Sequence, residues 1–166
     1  MQSNAEFGAV VSESGLGYTW NGNSQQYRLT PWSNDPTCDP PGEAIYVCDE
    51  ESGDFFSATP LPTPSRQGYI CRHGFGYSTW QTEKRGIESH LTTFVSVDRP
   101  AKFLVLTLKN RTGRRRRLNA TYFVEWVLGE HRGKTSPYVI TEVDPQSGAL
   151  LARNAFHPDF GGRVAF

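Results

Sequence analysis

The feature that most constrains this chain is a long alternation of apolar and polar side chains over residues 87–97. The apolar members stand at odd positions and the polar members at even positions: Ile87, Leu91, Val95 and Val97 against Glu88, His90, Thr92 and Ser96. A period of two residues is that of a β-strand, because successive side chains of a strand point to opposite faces. The run therefore predicts a strand with one face buried and the other in water.

Shorter strand-like runs, separated by turn-forming residues, occupy most of the remaining chain. They are residues 8–12, 17–20, 44–48, 55–58, 69–73, 77–83, 138–143 and 149–154, and a further strand begins at 163–166. Residues 103–108 are almost wholly apolar, which predicts a strand covered on both faces, and residues 118–128 alternate again. Residues 110–113 are expected to form the turn between these last two. No segment keeps a helical period over three turns, so the pattern predicts an all-β fold, an antiparallel β-sandwich.

Size and charge narrow the classes of partner. The chain has 166 residues, which suits one domain, and 13% of them are aromatic. Lys plus Arg number 17 and Asp plus Glu number 17, so the formal net charge is zero. A neutral chain has no overall field to attract nucleic acid or an anionic membrane. We therefore expect neither as a partner.

The cysteines and the two ends of the chain carry further expectations. Cys38, Cys48 and Cys71 are odd in number and lack a C-x-x-C spacing, which favours a reducing cytoplasm over a zinc or disulfide framework. The sequence has no secretion leader and no run of about 18 apolar residues. Residues 1–5 are expected to be a tag or linker remnant without structural weight. Residues 6–166 are expected to be a sandwich domain cut before its natural end, because the strand-like stretch 164–166 is incomplete.

Several motifs, in a fixed order, resemble one family of carbohydrate enzymes. They are FGAVVSESGLGYTW at 7–20, RLTPWSNDP at 28–36, PGEAIYV at 41–47, RHGFGY at 72–77, VEWVLG at 124–129, TEVDP at 141–145 and SGALLARN at 147–154. This set resembles the glycoside phosphorylase module of glycoside hydrolase family 94, formerly grouped as glycosyltransferase family 36. It is most similar to the form found in cyclic β-1,2-glucan synthases, and the resemblance covers nearly everything from Phe7 onward. Cys48 and Cys71 depart from the expected pattern.

The resemblance implies a supersandwich similar to galactose mutarotase, followed in the family by an (α/α)6 barrel. The barrel holds the general acid and the inorganic phosphate, so this segment is expected to be non-catalytic and to need no cofactor. Its implied roles are carbohydrate binding and assembly. The implied partners are a β-glucan oligosaccharide, the barrel and a second copy of the chain. The implied location is the cytoplasm, including the cytosolic part of a membrane-embedded synthase.

One loop-like segment carries the residue types that a sugar site needs. Pyranose rings present apolar C–H faces to aromatic rings and paired hydroxyls to planar polar groups. Within eight residues the chain offers both, in Arg28, Trp32, Asn34 and Asp35. These four are the candidate sugar-binding residues. The alternative is structural, with Trp32 capping the sandwich and Arg28 paired to Asp35.

A second segment is strongly basic. Six positive charges fall within nine residues, at Lys109, Arg111 and the run Arg114, Arg115, Arg116 and Arg117. Placed at a hairpin tip, the arginine run is expected to be an interface to the barrel or to a partner subunit. The alternative is a solvated tip, and a nucleic-acid or phosphate patch is less favoured.

Two alternatives to a sugar-binding role stay open. One is a purely structural dimerisation or scaffold domain. The other is a self-sufficient mutarotase-like aldose epimerase, for which the available acid–base groups are His73, His90, Glu125 and His131, without a motif that links them. The sequence shows no metal-ligand spacing and no nucleophile elbow.

Overall fold

The structure, a computed structural model, describes residues 1–33, 35, 37–38 and 40–166. Its strands are β1 Gln2–Ser3, β2 Phe7–Val11, β3 Gly17–Asn21, β4 Glu43–Asp49, β5 Phe55–Ser57, β6 Ile70–His73, β7 Tyr77–Lys84, β8 Ile87–Val95, β9 Lys102–Asn110, β10 Leu118–Val124, β11 Val139–Val143, β12 Leu150–Asn154 and β13 Val164–Ala165. A one-turn helix, α1 Arg132–Thr135, runs into a 3-10 turn at Ser136–Tyr138. Among the described residues, no helix has both the length and the apolar character to cross a membrane.

The strands form antiparallel sheets in the orders β1-β2-β3, β10-β4-β5, β6-β7-β8-β9 and β11-β12-β13. The turn between β7 and β8 is short because Arg85 and Gly86 both adopt positive φ, at 50° and 77°. Two successive positive φ angles match the right-handed twist of the flanking strands. The predicted antiparallel all-β fold is confirmed.

Two apolar clusters hold the sheets together. One joins β2, β12, the end of β8 and the segment after β3, and it contains Phe7, Ala9, Tyr27, Leu29, Val95, Leu128 and Ala152. The other lies between β4–β5 and the four-stranded sheet and contains Ile45, Ala58, Trp80 and Leu91. Trp80 is fully buried, and its indole N–H donates to the carbonyl of Glu13 at 2.9 Å. The alternation predicted for β8 is confirmed for Ile87, Leu91 and Val95, which are buried. It was wrong for Val97, because the strand ends at Val95 and Val97 is 93% exposed.

The prediction for residues 103–108 was wrong. Strand β9 alternates, with Leu104 and Leu106 against the second cluster and Phe103 and Val105 about half exposed. Its second face is uncovered among the described residues, although the ring of Phe103 stacks on Phe94 at 5.2 Å. An all-apolar composition therefore does not require burial on both faces.

The expected turn between β9 and β10 does not make a hairpin. Strand β9 pairs with β8, whereas β10 pairs with β4 from Leu118↔Asp49 to Val124↔Glu43. Residues 111–117 therefore cross from one sheet to another. Strand β10 also ends at Val124, earlier than predicted, and Val127 and Leu128 are both buried.

The expectation that residues 1–5 carry no structural weight was wrong. Gln2 and Ser3 pair with Ala9 and Gly8 of β2. The Gln2 side chain is buried and its amide donates to Ser78 Oγ at 3.1 Å and Thr93 Oγ1 at 3.0 Å. These two bonds connect the first sheet to strands β7 and β8.

Candidate functional site

Three aromatic rings lie side by side next to strand β3. Tyr18 and Trp20 share one face of the strand, because they are two residues apart and Thr19 between them is buried on the other face. The ring centroids are 5.2 Å apart for Tyr18 and Trp20, and 4.8 Å apart for Tyr18 and Trp32. Trp32 is the most open of the three, with 42% of its surface exposed. An exposed indole on a packed aromatic base is a rigid surface for an apolar ligand face.

Arg28 connects these three aromatic rings to a distant part of the chain. Its guanidinium lies 5.9 Å from the Tyr18 ring centroid, in a cation–π contact. Its Nη1 donates to the carbonyl of Glu130 at 3.1 Å, and its backbone N–H donates to the carbonyl of Gly129 at 3.0 Å. Arg28 is therefore a positioning residue that ties the Trp32 segment to residues 129–130.

Trp32 borders a cleft of about 190 Å³, which we call the Trp32 cleft. Part of its other walls comes from residues about one hundred positions later in the chain, namely Glu125, Val127, Glu130, His131, Arg132 and Gly133. The rest comes from Ser33 and prolines 31, 40 and 41. Arg132 Nη1 donates to both carboxylate oxygens of Glu125, at 3.0 and 3.1 Å. The cleft thus combines an aromatic wall with paired charged groups that can exchange hydrogen bonds with hydroxyls.

Glu130 stands at the rim of the cleft beside the one-turn helix α1. Its Oε2 accepts a hydrogen bond from Lys134 Nζ at 2.7 Å, and His131 lies 3.9 Å from its other oxygen. The hydrogen bond and charge of Lys134, with smaller effects from His131 and Arg28, lower the pKa of Glu130. The carboxylate is therefore ionised at neutral pH and accepts hydrogen bonds.

The structure brings together only part of the predicted sugar site. Arg28 and Trp32 meet through Tyr18, as described above. Asp35 is exposed and accepts hydrogen bonds from the Thr37 backbone N–H at 2.9 Å and from Thr37 Oγ1 at 2.8 Å, which lower its pKa. It orders its own turn, and among the described ion pairs none joins it to Arg28. Asn34 lies outside the described residues.

Sequence reasoning missed Tyr18, Glu130 and Arg132 as parts of this site. The i, i+4 spacing of Glu130 and Lys134 was a readable sign of a helical turn. Nothing local to the sequence, however, places Arg132 or Glu130 beside Trp32. That proximity depends on the backbone bridge between Arg28 and Gly129.

The four acid–base residues considered for a mutarotase-like site do not share one cleft. Glu125 and His131 line the Trp32 cleft. His73 lies 2.8 Å from Ser78 Oγ and 3.4 Å from Cys71 Sγ, and its strand neighbour Cys71 packs on the second apolar cluster. His90 lies on the opposite face of the sheet from the buried Ser89 and Leu91. The geometry gives no support to a site built from all four.

The arginine run divides into an internal residue and three surface residues. Arg116 is buried and its Nε donates to Asp49 Oδ2 at 3.1 Å, while its Nη1 donates to the carbonyl of Arg85 at 3.0 Å. The expected interface role is therefore wrong for Arg116, because its guanidinium is buried and paired with the Asp49 carboxylate inside the domain. Arg114, Arg115 and Arg117 are exposed, and Arg117 pairs with Glu50. For these three residues an interface role stays a prediction.

A further cavity, of about 450 Å³, lies between the first apolar cluster and strands β9 and β10. Its polar centre is an ion pair between Glu43 and Lys102, whose side chains are each 14% exposed. Burial raises the pKa of Glu43, but the charge and hydrogen bond of Lys102, with Thr19 and Tyr122, outweigh it, so the pKa lies below its usual value. Burial and the charge of Glu43 raise the pKa of Tyr122, whose hydroxyl donates to Glu43 at 3.0 Å.

The fold is that of an all-β sandwich domain, and comparisons with known proteins agree with this class. A family model described as the glycosyl hydrolase 94 supersandwich domain matches residues 1–166. The chain belongs to this family, as the motifs indicated.

Named relatives are consistent with this assignment. The chain is 40% identical over 167 residues to the cyclic beta-(1,2)-glucan synthase NdvB of Rhizobium meliloti (strain 1021), a match that covers 99% of the chain and 6% of that protein. It is 31% identical over 124 residues to the N,N'-diacetylchitobiose phosphorylase of Vibrio proteolyticus, covering 73% of the chain and 16% of that enzyme. It is 27% identical over 113 residues to the solabiose phosphorylase of Paenibacillus borealis, covering 66% and 15%. The chain thus spans a small part of each of these relatives.

Proposed function

We propose that this domain is a non-catalytic carbohydrate-binding and assembly domain of a longer cytoplasmic enzyme of the cyclic β-1,2-glucan synthase type. Its ligand is a β-glucan oligosaccharide, and its binding site is the Trp32 cleft. The observation that carries the proposal is the exposed Trp32 ring at the edge of a cleft lined by Glu125, Glu130 and Arg132. The name of one relative, a cyclic beta-(1,2)-glucan synthase, supports a β-glucan ligand, and the names of the two phosphorylases support a carbohydrate ligand in general.

The arrangement of groups supports binding more than catalysis. The carboxylate of Glu125 is already paired with Arg132 and that of Glu130 with Lys134, so the cleft presents paired hydrogen-bonding groups rather than a free acid–base pair. In this proposal the general acid and the inorganic phosphate belong to another domain of the longer protein. The sandwich presents the glucan chain to that domain.

A calorimetric titration of this chain with linear β-1,2-gluco-oligosaccharides tests the proposal. We expect saturable binding that weakens by at least about tenfold in Trp32→Ala, because a central aromatic anchor typically carries a large share of the binding energy. Cello-oligosaccharides serve as the linkage control. Phe75→Ala is the matched protein control, since Phe75 is fully exposed on the β6–β7 turn and lines none of the clefts described above.

Flat titrations from a folded sample would contradict the proposal and favour a purely structural scaffold. In that case the stacking of Trp32 on Tyr18 is simply part of the domain's own packing. Faster equilibration of glucose anomers in the presence of the chain would favour the mutarotase-like alternative instead. Loss of that acceleration in a variant of Glu125 or His131 would locate such an activity in the same cleft.

A further inference from the structure

A second cleft lies on the other side of helix α1, with a volume of about 700 Å³. We call it the Phe156 cleft, and the residues that matter are Gln25, Gln26, Glu130, Tyr138, Phe156 and His157. We propose that the Phe156 cleft is a second sugar subsite, which binds the next units of the same β-glucan chain that occupies the Trp32 cleft. This inference rests on the proposed function and adds a length requirement to it.

The Phe156 cleft has an aromatic wall of its own. The ring centroids of Tyr138 and Phe156 are 5.2 Å apart, and the two side chains are 46% and 72% exposed. The antiparallel register of β11 and β12, with Val139 opposite Asn154, brings these rings together just beyond the strand ends. Two large rings left in water beside a cleft are typical of a ligand-binding surface rather than of core packing.

The loop that carries Phe156 is held rigidly. Asn154 donates from its amide to the carbonyl of Leu128 at 3.1 Å, and its Oδ1 accepts the Phe156 backbone N–H at 3.2 Å. His157 Nδ1 accepts backbone N–H groups of Asp159 and Phe160, both at 3.2 Å, so its Nε2 is the donor to the Gln26 carbonyl at 3.1 Å. A loop whose backbone is held on both sides of Phe156 loses little conformational entropy when a ligand binds.

Other lining residues of the Phe156 cleft are polar and can bind sugar hydroxyls. Gln25 and Gln26 are exposed, and the Asn23 side chain accepts both of their backbone N–H groups at 2.9 Å, which fixes the turn that presents them. Primary amides both donate and accept hydrogen bonds, as the hydroxyl groups of a pyranose require.

Glu130 lies between the two clefts, because it lines both of them. Helix α1 separates them: Arg132 and Gly133 face the Trp32 cleft, whereas Lys134 and Thr135 line the Phe156 cleft. Four helical residues rise only about 6 Å along the axis, so the separating ridge is short. A glucan chain that crosses this ridge meets the Glu130 carboxylate between two aromatic walls.

Calorimetric titration of this chain with linear β-1,2-gluco-oligosaccharides of increasing length tests the inference. We expect affinity to rise by roughly tenfold or more between oligosaccharides that fill one cleft and those that span both. In Phe156→Ala, long oligosaccharides should bind no more tightly than short ones. Tyr138→Ala is a second variant with the same expectation, and Phe75→Ala should keep the full length dependence.

The outcomes separate the two proposals. Binding that depends on Trp32 but not on length, or a length dependence that survives both Phe156→Ala and Tyr138→Ala, overturns the second subsite and leaves the proposed function standing. Absence of binding at every length overturns both. Because Phe156 is mostly exposed, its removal is expected to leave the fold intact, which circular dichroism checks.

Discussion

At the residue scale, Glu43 and Lys102 form a largely buried ion pair beside an apolar cavity. Both side chains are removed from water, and Glu43 also accepts hydrogen bonds from Thr19 Oγ1 at 2.9 Å and Tyr122 at 3.0 Å. A buried charge is costly unless it is paired and hydrogen-bonded. Lys102, Thr19 and Tyr122 together therefore offset the cost of burying the Glu43 carboxylate beside an apolar cavity.

We expect Lys102→Met to lower the free energy of unfolding at neutral pH by about 3–5 kcal/mol, because it leaves the Glu43 carboxylate buried without its partner. Chemical denaturation monitored by tryptophan fluorescence measures this value. Lys109→Met on the same strand is the matched control; Lys109 is exposed, so its loss should change stability by at most about 0.5 kcal/mol.

The loss in Lys102→Met should shrink as the solution is acidified. The pKa of Glu43 is lower in the folded chain than its ordinary value of 4.5, so the pair contributes stability above that pH. This contribution is lost as the pH falls through the lowered pKa of Glu43. In the variant, by contrast, protonation relieves the unpaired charge. If the free energies of unfolding of the wild-type chain and of Lys102→Met differ by the same amount from neutral to strongly acidic pH, this account is contradicted.

At the element scale, the two-residue strand β1 forms hydrogen bonds to a second sheet as well as to its own. Its pairing with β2 is brief, yet Gln2 bonds to side chains of both β7 and β8 across the sheet interface. Asn4 adds to this, because its amide donates to the carbonyls of Ser96 and Arg99 at 2.9 and 2.7 Å. The start of the chain therefore links two sheets.

We expect Gln2→Ala to destabilise the domain by about 1–3 kcal/mol, because it removes hydrogen bonds from a buried polar contact and leaves Thr93 without that partner. Ser3→Ala is the control at the neighbouring exposed position and should have almost no effect. Midpoints of urea denaturation for the three proteins measure the difference. Equal midpoints for Gln2→Ala and Ser3→Ala would show that β1 is dispensable.

At the scale of the whole molecule, β13 is the outermost strand of its sheet among the described residues. It pairs with β12 through Ala152↔Ala165 and Arg153↔Val164, and Val164 is 52% exposed. An exposed apolar strand at a sheet edge is a template for pairing with another chain. We expect this chain to dimerise through β13 at high concentration, and Val164→Lys to shift the dimer toward monomer.

Light scattering across a concentration series measures the mass in both proteins. A wild-type chain that stays monomeric at high concentration would contradict the prediction. A dimer that persists in Val164→Lys but dissociates when Arg114 and Arg115 are both changed to Ser would instead place the interface on the arginine segment. These two arginines are chosen because Arg116 is internal and Arg117 already pairs with Glu50.

The candidate site shows how far local sequence information reaches. Trp32 and Arg28 could be selected from residue chemistry alone, because aromatic and guanidinium groups suit sugars wherever they occur. Their neighbours Glu125, Glu130 and Arg132 could not be placed with them. About one hundred residues separate the two walls of the Trp32 cleft, and the backbone bridge from Arg28 to Gly129 is a long-range contact with no local signature.

The sequence by itself determined most of the strand positions, though not β1 or the end of β10, together with the buried face of β8 and the family, because side-chain alternation and motif order are properties of neighbouring residues. Only the tertiary structure decided that β10 pairs with β4, that one face of β9 is open, and that Arg116 is internal. Strand pairing depends on cross-strand contacts and loop closure between distant segments. Alternation specifies which side chains share a face of a strand, but the rest of the fold decides what covers that face.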